Sequence, residues 1–188
     1  MRQVKENRMV LGGHQTPMTM AEFVARRLRD VDDIFSDFLN STVTLIPIPR
    51  SSLRHPGALW PAQAFAQALV DQGHGLRVLE CLHRTKAVPK AALAPSGSRP
   101  RASTHRESLS VVRPREMPAT VTLIDDVITR GAQVMGAALA LWRVYPSLTI
   151  RAFVVLRTIS QTCDFNGEIL APVVGVVALS NGETSRYP

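Results

Sequence analysis

Cysteine is scarce in this sequence. Cys81 and Cys163 are the only two, far apart and without metal-type spacing. That argues against a disulfide-stapled scaffold and against a cysteine-based zinc site, and leaves two buried free thiols as the simplest reading. Aromatic residues are sparse as well, at 5%, which argues against a surface that grips nucleic acid by stacking bases. No apolar run approaches the ~20 residues needed to cross a bilayer. The opening stretch MRQVKENRMVLGGHQ has no signal-peptide apolar region. The chain is therefore expected to be cytoplasmic, with no membrane partner. Acidic residues are missing in one place. Between Arg84 and Arg115 there are eight basic residues and a single acid, Glu107, so this stretch accounts for the whole net charge of +7. A local surplus of that size asks for an anionic partner.

What is present fits one globular domain. The 188 residues, 45% apolar and 20% charged, suffice for a single core. Thr19 and Glu22 have capping-box spacing, and Val24, Leu28, Val31, Phe35 and Phe38 recur at helical steps, so an amphipathic helix is expected over 19–39. TVTLIPIP reads as a strand ended by prolines, and Pro61 opens a helix that stops before Gly73. LRVLECL reads as a second strand. KAVPKAALAPSGSRPRASTHRES has no period and reads as a long loop, with SLSVV returning from it as a strand. VTLIDD, TIRAFVVL and the late APVVGVVAL are further strands, and AQVMGAALALWRVY is a helix. Strands alternating with helices predict an α/β fold, a mainly parallel twisted sheet covered on both faces, with ligands bound beyond the carboxyl ends of the strands.

The densest chemistry lies in VTLIDDVITRGAQV, Val121 to Val134. A β-branched run ends in two adjacent carboxylates, Asp125 and Asp126, which are costly to bury unpaired and make sense pointing into a crevice. A short loop, Thr129 to Ala132, then opens a helix. Backbone N–H groups at such a helix start can hold a phosphate. The carboxylates can accept from vicinal sugar hydroxyls, with Mg²⁺ nearby to balance charge. The plain alternative, a strand-to-helix turn with exposed aspartates, leaves the combination of apolar run, paired acids and small loop unexplained.

VTLIDDVITRGA resembles the phosphoribosyl-pyrophosphate (PRPP) motif of type I phosphoribosyltransferases. The resemblance covers about 43–156 and extends to LIPIPRSS, which stands where that family has a pyrophosphate loop, and to the basic 84–108 stretch, which stands where it has a flexible loop that closes over substrate. LIPIP, the long basic loop and LIDDV together are similar to the competence-associated branch, without its N-terminal cysteine zinc element. The resemblance implies one phosphoribosyltransferase domain over 1–188, with a hood from 1–40, from 157–188, or from both. It implies that Asp125 and Asp126 bind the ribose 2- and 3-hydroxyls and meet Mg²⁺ indirectly, through PRPP and water. It implies that Val127, Ile128, Thr129, Arg130, Gly131, Ala132 and Gln133 form the PRPP loop around the 5-phosphate. Arg50, Ser51 and Ser52 would face pyrophosphate, and Lys90, His105 and Arg106 would be catalytic lid groups that help it depart.

The implied activity is transfer of phosphoribose from PRPP to a nitrogen nucleophile, a nucleobase-like molecule, with pyrophosphate released. Gln133 replaces the Thr or Ser common in the family, and Thr129 replaces the acid of members that act on 6-oxopurines. A second reading is a PRPP-sensing, nucleic-acid-binding or competence accessory protein on the same fold, with the 84–115 stretch lying on a nucleic-acid backbone. Many relatives are dimers, and a homodimer is the corresponding expectation here. Trp60, Trp142 and Phe165 are the candidates for stacking on a base.

Overall fold

The computed structural model describes residues 1–12, 17–30, 33–89, 99–158 and 172–187. At its centre four strands form an all-parallel sheet: β3 (Thr44–Pro47), β4 (Arg77–Val78), β7 (Thr120–Ile128) and β8 (Thr149–Arg157). Their order across the sheet is β4-β3-β7-β8. β3 and β7 carry nearly unbroken apolar runs because both of their faces are covered. Leu45 and Ile124 face a core built with Phe65 and Leu69 of α3 (Pro61–Asp71). Ile46 and Leu123, one residue away and therefore on the other face, meet Ala137, Ala138 and Leu141 of α5 (Ala132–Trp142). The first core also takes in Val4 of α1 (Arg2–Lys5), Met20, Ala21 and Ala25 of α2 (Met20–Arg27), and an edge-to-face pair, Phe35 on Phe153, with centroids 5.4 Å apart.

Several sequence expectations change here, each for a packing reason. The capping box forms as expected: the Thr19 amide donates to Glu22 Oε2 at 2.7 Å and the Glu22 amide to Thr19 Oγ1 at 3.3 Å. The helix nevertheless stops at Arg27 and gives way to short 3₁₀ turns over Leu28–Asp30 and Asp33–Phe35. Val24, Leu28, Phe35 and Phe38 still pack on the core, so the period reports a buried face without a continuous helix. LRVLECL splits. Only Arg77–Val78 joins the main sheet, and Cys81 N bonding back to Leu79 O at 3.0 Å turns the chain away. The next strand, β5 (Leu82–Arg84), pairs antiparallel with β6 (Leu109–Val111) in a separate ribbon.

Between these two strands the sequence suggests a loop without structure. Residues 90–98 lie outside the described residues, but Ala102–Glu107 forms α4. α4 lies on α5 at Gly136, where an added Cβ would stand 2.4 Å from His105 Cβ and 2.8 Å from Ala102 O. Six residues are too few to print a helical period, and docking holds them in place.

Hairpins account for the other differences. β1 (Met9–Leu11) pairs with β2 (Pro17–Thr19) near the amino end. The late strand β9 (Val176–Ser180) stays out of the main sheet and pairs with β10 (Glu183–Tyr187). Asn181 and Gly182 both have positive φ, at 51° and 79°, which is the Asn-Gly hairpin signal. Among the described residues no helix is long and apolar enough to cross a membrane.

Gly136→Val tests the α4 docking. Overpacking costs about 1–3 kcal/mol, and here one blocked atom is a backbone oxygen that cannot swing aside. We expect a lower urea midpoint with an unchanged slope. A midpoint equal to that of the wild type would mean that α4 does not rest on Gly136.

Candidate functional site

β3 and β7 leave the sheet at different heights, and the site occupies the step. β3 ends opposite Ile124, and the last bond between the two strands runs from Ile48 N to Ile124 O at 2.9 Å. The sequence suggests that β7 ends at the acidic pair. In the structure it continues to Ile128 because β8 pairs with it on both sides of Asp126, with Asp125 opposite Val154 and Ile128 opposite Arg157. Asp125 and Asp126 therefore lie on a strand that has lost one neighbour. A cavity of about 300 Å³ opens there.

The cavity brings together most of the residues singled out from the sequence. Asp125, Asp126, Val127, Ile128, Thr129, Arg130, Gly131, Ala132 and Gln133 all line it, as do Arg50, Ser51 and His105. Ser52 is exposed and does not line it. Arg106 turns to its neighbour Glu107 at 3.0 Å and stays off the wall. Lys90 lies outside the described residues, as do Cys163 and Phe165. Trp60 lines the wall, but its indole donates to Ile48 O at 2.8 Å and its ring carries the Arg54 guanidinium at 5.0 Å. Trp142 caps the far end of α5, donating to Leu148 O at 2.8 Å.

Asp125 is 3% exposed. Its Oδ1 accepts from the Asp126 amide and its Oδ2 from Gln133 Nε2, both at 3.0 Å. Gln133, expected at the phosphate, here steadies the carboxylate. Burial, then the charge of Asp126, raises the Asp125 pKa well above the usual carboxylate range. Gly131 closes the loop in the left-handed region, with φ of 87°, and a Cβ there would stand 2.5 Å from Val177 Cγ1 of β9. The carboxy-terminal hairpin thus rests on the loop, and both positive φ and close approach require glycine.

Arg84 and His105 complete the buried polar set. The Arg84 guanidinium donates to Pro49 O at 3.0 Å, to Arg50 O at 2.8 Å, to His105 O at 3.4 Å and to Ser108 Oγ. Burial lowers its pKa to about 10, while the charge of Asp125 pulls the other way. His105 is buried with Nδ1 unpartnered among the described residues. Burial, then the charge of Arg84, lowers its pKa to about 4. At neutral pH it is an uncharged imidazole, so it supplies no lid cation.

Four contributors escape sequence reasoning. Arg84 reads in the sequence as the edge of a loop, yet it sits behind the β3 loop. Lys5 of α1 reaches the wall, and Arg101 and Glu183 form a 2.9 Å ion pair beside it. Only the Asn-Gly turn before Glu183 carries a signal. The basic stretch is also less uniform than its sequence suggests: Arg84 is buried, Arg101 pairs with Glu183, and Arg106 pairs with Glu107. Among the described residues no group of three or more His, Cys, Asp or Glu is placed to hold a metal. In comparisons with known proteins, no protein-family profile matches the chain and no curated protein matches its sequence.

The buried acid and the buried base can each be tested by pH. Asp125 binds its proton more tightly folded than unfolded, so it contributes stability below the ordinary carboxylate pKa that is lost as pH rises. Asp125→Asn is therefore expected to raise the melting temperature at pH 8 by about 2–4 °C per kcal/mol recovered, with the gap closing towards pH 4. A gap that does not change with pH would contradict the burial cost. For His105, the imidazole proton resonances should stay put from pH 8 to 5 and move only near pH 4; a midpoint near 6.5, the ordinary histidine value, would contradict its buried setting.

Proposed function

We propose that the protein is a phosphoribosyltransferase of the type I class. It transfers the 5-phosphoribosyl group from PRPP to a nitrogen nucleophile, a nucleobase-like acceptor, and releases pyrophosphate. The observation that carries this reading is one cavity whose wall runs from the acidic pair within β7, through a left-handed Gly131, to the amino end of an eleven-residue helix. That order supplies hydrogen-bond acceptors for a vicinal diol and donors for a phosphate a few residues apart. The all-parallel sheet flanked by helices is compatible with it.

In this reading Asp125 and Asp126 hold the ribose 2- and 3-hydroxyls, and the 127–133 loop holds the 5-phosphate. Arg50 and Ser51 face the diphosphate. The acceptor nitrogen attacks C1 of the ribose as the C1–O bond breaks, and the diphosphate leaves with the bonding electron pair. Holding both partners in line lowers the barrier by orientation, and cations along the wall, Lys5, Arg50, Arg99 and Arg130, stabilise the charge that develops on the leaving oxygen. Asp125 and Asp126 would meet a Mg²⁺ ion only indirectly, through PRPP and water. When bound, the ion supplies charge neutralisation of the leaving group. His105, neutral in the wall, acts by packing rather than as a cation.

Calorimetric titration with PRPP, with and without Mg²⁺, tests the reading. Binding should require Mg²⁺. In the double variant Asp125→Asn with Asp126→Asn it should weaken at least about a hundredfold, the loss of two charge-assisted hydrogen bonds, with far-UV circular dichroism unchanged. Normal affinity in the double variant would remove the acidic pair from the site. Pyrophosphate release across a panel of nucleobases would then identify the acceptor.

A further inference from the structure

We propose that Arg84 is a positioning residue. By gripping the carbonyls just after β3, it turns the amide N–H groups of residues 50–52 into a seat for the diphosphate. This rests on the phosphoribosyl-transfer reading above. Three successive carbonyls are held from the side of the β5–β6 arm. Arg84 donates to Pro49 O at 3.0 Å and to Arg50 O at 2.8 Å, and Val88 N donates to Ser51 O at 2.8 Å. In a trans peptide the C=O of one residue and the N–H of the next point in opposite directions, and no cis peptide occurs among the described residues. The amides of Arg50, Ser51 and Ser52 therefore point away from the arm. None of them has an acceptor among the described residues. Successive N–H groups aimed one way form an anion-binding concavity, and Arg50 and Ser51 line the cavity that holds the acidic pair.

The guanidinium suits this task because its fork places several donors in one plane. Two reach the loop after β3, and another reaches Ser108 Oγ and His105 O at the end of α4. Ser108 Oγ in turn donates to His105 O at 2.7 Å. The loop and the arm are thereby fixed as one piece, and a positive charge stands behind the amides. An ammonium at this position lacks the fork and cannot hold both carbonyls and the hydroxyl in one plane.

The test is calorimetric titration with inorganic pyrophosphate and, separately, with ribose 5-phosphate, both with Mg²⁺. The proteins are the wild type, Arg84→Lys and Ser108→Ala, with the amide resonances of residues 50–52 tracked by ¹⁵N NMR. Arg84→Lys should weaken pyrophosphate about tenfold or more and leave ribose 5-phosphate within about twofold. Ser108→Ala should show a smaller loss of the same selectivity. The three wild-type amides should shift on adding pyrophosphate and not on adding ribose 5-phosphate. Unchanged pyrophosphate affinity in Arg84→Lys, or equal loss of both ligands, overturns the proposal. If Arg84→Lys does not fold, Ser108→Ala and the wild-type amides decide it, and amides that stay still under pyrophosphate overturn it. Wild type that binds ribose 5-phosphate but not pyrophosphate defeats the Arg84 proposal alone. Wild type that binds neither defeats the phosphoribosyl reading, and the Arg84 proposal with it.

Discussion

The ladder between β3 and β7 closes with Ile48 donating to Ile124, and β3 pairs with β7 no further. Everything distinctive about the site stems from that early ending. β7 continues on β8 alone and carries Asp125 and Asp126 into the space that β3 vacated. The chain leaving β3 still has carbonyls to satisfy, and a polar backbone group held away from water without a partner is expensive. Arg84 and Val88 satisfy them from a different part of the chain. The ladder's end therefore opens the cavity and also ties the arm to its rim.

Three buried titratable groups crowd that rim, and burial pushes each towards its neutral form. Asp125 is raised, while His105 and Arg84 are lowered. A core designed only for stability would avoid such a set, since buried ionisable groups are costly unless fully paired. Concentrations of this kind are characteristic of sites that bind or transform charged ligands. Here the nearby donors are themselves arranged: Gln133 and the Asp126 amide hold one carboxylate in place. The acceptors on Asp125 are therefore already oriented.

The walls come from stretches that are remote in sequence. The amino-terminal α1 contributes Lys5, the arm contributes Arg101 and His105, and the carboxy-terminal hairpin contributes Glu183 and Thr184 and rests Val177 on Gly131. Small residues make these approaches possible. Gly136 admits α4 against α5, and Gly131 admits the hairpin against the loop.

The sequence by itself determined the alternation of apolar runs in β3, β7 and β8, the helices begun by Pro61 and Ala132, and the acid pair with a tight loop after it. Those signals are local. An apolar run, a capping box or a left-handed glycine reports the conformation of its own few residues. It could not determine that 19–39 breaks after Arg27, that LRVLECL divides between two sheets, or that 102–107 is helical, because packing against distant residues overrides propensity in short segments. Nor could it determine that Arg84 is buried, that His105 is uncharged, or that Gln133 serves Asp125. Only the tertiary structure decided those points, because burial and hydrogen-bond partners are set by which remote segments meet, and a charge of +7 in the sequence does not record which of its members face inward.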